Sequence, residues 1–514
     1  MSEVVNQSLQ KIAKGTGVVF IGTIIGMFLG FLGRVLIARF FTQAEYGIYS
    51  LALVILNIAV LLSTIGLQQG TPRQIAYYRG KTNVTRVQEV VSSSLQIALI
   101  ASILLSIILF LASDTISLQI FHEPELVLLL KIFSIAIPFS VLTNVFASIF
   151  QGFDDVKPRV YFMNIRSGLF LLLLVLVILL GLPFQGVIYA FIASIIVACI
   201  IFAVYFLKKV SFSLKGINFA TTPIRKELLV FSLPLLITMM LGQMLNWTDT
   251  LMLGYFRDSN IVGLYNGALP LARLILLILS SSGFIYLPIA TGVYSKGSLE
   301  EMRRIYQVLT KWIFSVTIPL FFLFFLFPEV VLSFIFGANY VQASHALRIL
   351  SFGFMFHVFL GINSYSLLVM GETRFLMLAS SFTAIFNIIL NAALIPTFGM
   401  TGAAFATTFS YLLGNILSST KLYKLSKIHP FTRNYVKLLS VSIFLLSLTY
   451  VFTSHLKVEF WMLLFFLFIF LVGYGLLSLL TRSLDNEDIT ILLTLEKRMG
   501  ISVTPLKRFL EKFI

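Results

Sequence analysis

Residues 159–181 read RVYFMNIRSGLFLLLLVLVILLG. As an α-helix rising ~1.5 Å per residue, this run is long enough to cross the ~30 Å hydrocarbon core of a bilayer. It begins beside Lys157 with Arg159, and it carries a further cation, Arg166, inside the apolar run. The same three features recur along the whole chain: an apolar span, cations gathered at one end, and an occasional ionisable residue within.

Thirteen further segments of spanning character lie near 16–40, 46–70, 90–112, 126–151, 184–207, 227–255, 261–291, 307–327, 343–370, 373–396, 399–423, 432–454 and 459–481. The 514 residues are 58% hydrophobic and 11% charged, with a mean hydropathy of +0.98. Soluble domains are roughly 45–50% apolar and ~25% charged, so no soluble core could hide this much apolar surface. The expected fold class is all-α: a polytopic membrane protein with about 14 transmembrane helices. The first apolar segment is expected to be retained as a helix, because no small-residue cleavage site follows it.

The connecting segments alternate in charge. With the N-terminus inside, the inner segments hold 27 of the 37 Lys and Arg, while the outer loops hold only Arg257 and Lys457. An inverted topology would reverse the usual bias of cations toward the cytoplasm. The expectation is therefore a multi-pass protein of the cell (inner or plasma) membrane with both termini cytoplasmic. The outer loops are short, which leaves no room for an extramembrane catalytic domain.

The net charge of +16 does not imply nucleic-acid binding, because the cations are scattered through short loops and form no stripe or block. Cys199 is the single cysteine and lies in an apolar run, so no intramolecular disulfide and no thiolate metal cluster can form. No metal or other cofactor is expected. Asn83-Val84-Thr85 matches a glycosylation acceptor by chance, since the topology puts it inside. The tail, Pro505 to Ile514, separates apolar from basic residues as an interfacial helix on anionic lipid would.

An internal repeat emerges at an offset of about 216 residues. Gly47-Ile48-Tyr49 falls on Gly263-Leu264-Tyr265, Pro72 on Pro288, and Gly186, Ala190 and Ser194 on Gly402, Ala406 and Ser410. Leu130-Lys131-Ile132-Phe133-Ser134 meets Leu347-Arg348-Ile349-Leu350-Ser351 with a shift of one. A shared offset across separate helices is the signature of two parallel six-helix halves. It predicts two pseudo-symmetric lobes, residues 1–210 (spans 1 to 6) and 211–428 (spans 7 to 12), followed by two C-terminal helices at 429–481 and a cytoplasmic amphipathic tail at 482–514. Such a repeat places a substrate site near the midplane, alternately open to either side. Pro138, Pro234, Pro270 and Pro319 lie within spans and can kink them.

A charge at the bilayer centre costs roughly 2.5–3.5 kcal/mol even on the insertion scale, so each one needs a partner, water or a function. Arg39, Lys131 and Arg348 lie near the outer ends of their helices, where they can snorkel as an outer rim. Arg34, Asp249 and Arg273 are deeper, with Arg34 and Asp249 at matching depth in repeat-related helices, and Arg166 lies nearer the inner end of its span. Gln243, Asn246 and Asp249 recur every three residues and so form a polar stripe on one helix face. Two accounts of Arg34 and Asp249 remain open: a structural ion pair, or an outer gate with Arg273 and Arg166 as a cationic floor beneath it. The candidate substrate-binding set is Arg34, Arg166, Arg273, Asn246 and Gln243, with Asp249 and Arg34 as gate or ion-coupling residues. Arginines outnumber the acid, so the site favours an anion, and guanidinium groups hold phosphate oxygens bidentately.

The residues resemble the polysaccharide-transporter branch of the multidrug/oligosaccharidyl-lipid/polysaccharide exporter superfamily, the Wzx-type oligosaccharide-lipid flippases. The likeness runs over essentially the whole chain and rests on Gly33-Arg34, Ala38-Arg39-Phe40, Glu45-Tyr46-Gly47-Ile48-Tyr49, the span with Asp249 and Leu253-Gly254-Tyr255, Phe336-Gly337-Ala338-Asn339-Tyr340, and Gly399-Met400-Thr401-Gly402-Ala403-Ala404. It implies a non-enzymatic flippase that moves a polyprenyl- or dolichyl-phosphate-linked glycan by alternating access. The implied partners are this anionic glycan lipid, membrane lipids and a coupling proton or sodium ion, and the self-contained repeat suggests a monomer. The alternatives are a flippase for the lipid-linked peptidoglycan precursor, a multidrug antiporter, and, from another class, a membrane glycosyltransferase or polymerase.

Overall fold

The computed structural model describes residues 3–210, 223–483 and 485, with the side chains of residues 3–20 and 284 left aside. Among them the chain is helical throughout and contains no strand. This follows from the solvent: in hydrocarbon each backbone N–H and C=O must be satisfied within its own segment, which an α-helix achieves. Thirteen helices are long and apolar enough to cross a membrane by length and composition.

By contact the chain divides into two compact units, Met1–Asn266 and Gly267–Ile514. The expected lobes at 1–210 and 211–428 group residues by sequence repeat, which is a different criterion. The first unit contains α1 (Glu3–Phe40), α2 (Gln43–Thr64), α3 (Leu67–Gly80), α4 (Val84–Thr115), α5 (Pro124–Gly152), α6 (Lys157–Leu179), α7 (Gln185–Lys209) and α8 (Pro223–Phe256), and it ends within α9 (Ser259–Ser295). α5 is its axis, packed by α2, α3, α4 and α7, while α1 lies along α6 and α8 packs on α2, α3 and α4. The second unit continues with α10 (Leu299–Leu326), α11 (Pro328–Phe336), α12 (Ser344–Leu360), α13 (Asn363–Val369), α14 (Thr373–Ser426), α15 (Arg433–Thr453) and α16 (Phe460–Leu480).

The 54 residues of α14 would stretch about 80 Å if straight, more than twice the bilayer core. At Gly399 the backbone leaves the helix, with φ 55° and ψ −133°. A Cβ on Gly402 would lie 2.4 Å from the Leu394 carbonyl oxygen, and one on Gly414 would lie 3.2 Å from Thr383 Oγ1. Both contacts are centred on the same turn, so the chain reverses there and its two arms run back along each other. Counted as two crossings, α14 brings the total to the fourteen expected, at the expected junction between 396 and 399.

Helix starts are written in local chemistry. Thr42 Oγ1 accepts the Glu45 N–H and Glu45 Oε2 accepts the Thr42 N–H, a reciprocal capping box at the head of α2. Asn83 Oδ1 accepts the Arg86 N–H, so the residue of the apparent glycosylation acceptor serves as the N-cap of α4.

Packing follows the small-residue rule of membrane helices. Ser63, Thr64, Thr71, Ser94, Ser102 and Ser194 are fully buried, whereas large apolar residues such as Leu111, Leu179 and Trp461 are exposed on the helix exteriors. The tightest crossing joins the repeat-related glycines. A Cβ on Gly47 would stand 1.8 Å from the Ser259 carbonyl oxygen, and a Cβ on Gly263 would stand 1.9 Å from that of Gln43. Each glycine lets α2 and α9 approach to backbone contact, and the two contacts are reciprocal at the repeat offset.

The expected interfacial helix at 505–514, and all but Ser483 and Asp485 of the tail after Arg482, lie outside the described residues.

Candidate functional site

The interior of the first unit holds a cavity of about 350 Å³. Five helices line it: α1 with Gly30, Arg34 and Ile37; α2 from Tyr49 to Val60 with Asn57; α5 with Ser140, Thr143 and Asn144; α6 with Arg166, Ser167 and Phe170; and α7 from Phe191 to Ala198. The lining positions step by three or four residues along each helix, so each helix turns one stripe inward. Arg34 and Arg166 are both accessible, and the Tyr49 phenol lines the same cavity. No carboxylate is among the lining residues. The cavity thus carries two fixed positive charges, together with amides, hydroxyls and aromatic rings.

One end of the cavity is walled by aromatics. Phe191 meets Tyr49 edge-on at 5.7 Å and Phe170 edge-on at 5.4 Å, and wholly buried Phe133 backs it at 5.2 Å. At the other end of the α2 stripe, Asn57 is exposed into the cavity space, and Asn144 on α5 is half-buried.

The structure brings together Arg34 and Arg166, which the sequence reading had assigned to different pairings. The ion pair expected between Arg34 and Asp249 is absent among the described residues. Asp249 is buried and accepts a 2.6 Å hydrogen bond from the Tyr265 hydroxyl, while Arg34 lines the cavity. Matching depth had suggested the pair, but depth says nothing of the azimuth at which each side chain leaves its helix. Beside Asp249, Thr250 donates to Asn266 Oδ1 at 3.2 Å, and Tyr46 donates to the Asn266 carbonyl at 3.1 Å. Asp249 thus belongs to a buried polar cluster at the crossing of α2, α8 and α9.

Gln243 and Asn246 do share one face, with Asn246 Nδ2 donating to Gln243 Oε1 at 2.9 Å. Arg273 is half-buried on α9 and belongs to the second unit. The three rim cations sit in ordinary surroundings. Lys131 pairs with Asp114 at 2.9 Å, Arg348 pairs with Glu329 at 3.2 Å and donates to the Phe325 carbonyl, and Arg39 is exposed in the last turn of α1.

Two kinds of residue escaped the sequence reading. Asn57 and Asn144 line the cavity, and a lone amide within an apolar run was the available signal. Lys311 on α10 is 3% exposed and pairs with Asp485 at 2.5 Å. Asp485 also accepts from Asn434 at 2.6 Å and lies 3.8 Å from Arg304. Here the signal was an ammonium well inside a helix of spanning length, and its partner comes from the tail that was read as a separate interfacial segment.

Residues 12–291, more than half of the chain, match the family described as polysaccharide biosynthesis protein. The chain belongs to that family. Residues 234–393 also match the MatE family, and the two matches place the chain in the polysaccharide-transporter branch of the multidrug/oligosaccharidyl-lipid/polysaccharide exporter superfamily. An uncharacterized membrane protein of Methanocaldococcus jannaschii is 26% identical over 462 residues, 85% of this chain and 88% of that protein. A protein of Haloferax volcanii named as the probable low-salt glycan biosynthesis flippase Agl15 is 24% identical over 413 residues, 79% of this chain and 82% of its own length. The solved structure of the lipid II flippase MurJ in an inward closed conformation superposes with a TM-score of 0.70 at 18% identity, covering 90% of this chain and 98% of that one. At that identity the likeness establishes a shared fold. This member of the polysaccharide biosynthesis protein family is accordingly a multi-pass membrane protein with a transporter fold.

Proposed function

We propose that this chain is a flippase that carries a phosphate-bearing, lipid-linked glycan across the cell membrane by alternating access. The observation that carries the reading is the cavity of the first unit, where Arg34 and Arg166 stand together with no acid in the lining. Two guanidinium groups in a confined space favour an anion, and each can hold phosphate oxygens through two parallel N–H donors without deprotonating. A cationic drug would meet two like charges there, which weighs against an antiporter of such compounds. The family and the naming of the Haloferax volcanii relative as a glycan-biosynthesis flippase support the same substrate class.

Further parts of the reading rest on the sequence. Both termini face the cytoplasm, from the bias of Lys and Arg. The functional lobes are residues 1–210 and 211–428, with residues 429–481 as additional helices. Arg273, Gln243 and Asn246 are further substrate-binding residues, and the protein acts as a monomer and not as an enzyme. Asp249 is the coupling residue for a proton or sodium ion. Asp249 is a buried carboxylate that accepts the Tyr265 hydroxyl at 2.6 Å, and the measurement is whether Asp249→Asn removes gradient dependence while substrate binding persists.

The test is transbilayer movement of a fluorescent lipid-linked oligosaccharide in liposomes holding the purified protein. Arg34→Ala and Arg166→Ala should each lower the rate by about tenfold, the loss of one charge-assisted contact of roughly 1.5 kcal/mol. Movement unaffected by either substitution would overturn the role of the cavity. A sugar-transfer product in place of movement would make the protein an enzyme.

A further inference from the structure

The cavity holds more than its two cations require. Resting on the flippase reading above, we infer that it is a two-part subsite: Arg34 and Arg166 hold the phosphate, and Phe170 and Phe191 hold the sugar ring bonded to that phosphate.

Three observations lead there. First, Arg166 and Phe170 are four residues apart on α6 and both line the cavity, so their side chains are neighbours on one helix face, ~5–6 Å apart at Cβ. A phosphate bonded to a pyranose presents a charged group and a ring at a comparable separation, so one ligand can meet both at once. Second, Phe191 is pre-set. Buried Phe133 lies behind it at 5.2 Å, and the edges of Tyr49 and Phe170 flank it at 5.7 and 5.4 Å. A ring fixed in this way presents the apolar, electron-rich face against which the C–H bonds of a sugar pack, and it loses little side-chain freedom on binding.

Third, about 350 Å³ is near the lower end of small-molecule sites, which span roughly 300–1,000 Å³. That volume suits a single phosphorylated sugar.

The experiment compares binding of two probes to the full chain in detergent: a polyprenyl phosphate bearing one hexose, and the same lipid phosphate without sugar. Wild type should bind the sugar-bearing lipid roughly five- to tenfold more tightly, the worth of one well-formed aromatic contact with its accompanying hydrogen bonds. Phe191→Leu should erase most of that preference and leave the affinity for the sugar-free lipid within about twofold. Phe191→Tyr should restore the preference, which a merely structural role for the ring would not require. Arg166→Gln should weaken both lipids alike. A sugar preference that survives Phe191→Leu would overturn the assignment while leaving the flippase reading intact. Failure of wild type to bind either lipid would overturn both.

Discussion

Tyr49 and Tyr265 occupy the same place in the two sequence repeats, and their surroundings are opposite. Tyr49 closes a cavity that contains two guanidinium groups, and its hydroxyl makes no hydrogen bond within the described protein. Tyr265 is fully buried and gives its proton to a buried carboxylate, Asp249, at 2.6 Å. Both follow a glycine at the same backbone crossing, Gly47 on α2 and Gly263 on α9. The backbone crossing is therefore the same at both positions while the electrostatics differ. One position is an open cationic site, and the other a closed acidic contact.

Breaking the shared frame should have the largest effect. Gly47→Ala and Gly263→Ala each push a methyl group to within 2 Å of a backbone carbonyl oxygen, a collision that no rotamer relieves. Each should cost about 3 kcal/mol, the upper range for overpacking, and the two losses should be similar because the contacts are reciprocal. Thermal unfolding in detergent would read this, and a large effect at only one glycine would break the equivalence of the two crossings.

A smaller effect is expected at the acidic copy. Tyr265→Phe removes a charge-assisted hydrogen bond from a buried carboxylate and should lower stability by roughly 1.5–3 kcal/mol. The smallest effect is expected at the cationic copy, where Tyr49→Phe deletes a hydroxyl with no protein partner and should change stability by less than about 0.5 kcal/mol. Equal losses at the two tyrosines in the same unfolding assay would remove the contrast between the sites.

The rim cations and the deep cations teach a related lesson. Position along a helix was legible, and by it Lys131 and Arg348 read as residues near helix ends. Both now stand in half-exposed ion pairs with Asp114 and Glu329, a class of contact worth at most about 1 kcal/mol. Direction around the helix was not legible. Arg34 was matched with Asp249 by depth alone, and the structure gives Arg34 to the cavity and Asp249 to Tyr265. Lys311 was passed over because its partner, Asp485, follows α16 and lies 174 residues away.

By itself the sequence determined the number of crossings, including the reversal within α14, because each span must supply its own apolar length to the bilayer and its own backbone hydrogen bonds. It also determined the repeat, whose glycines and tyrosines return at one offset. Only the tertiary structure decided which polar side chains share a space. The membrane helices are apolar on nearly every side, so no periodic pattern records which face turns inward as it would in a soluble amphipathic helix. Arg34 on α1 and Arg166 on α6 meet because those two helices pack along each other in the first unit, and that choice of neighbour is made by interlocking shapes and not by any signal within either helix.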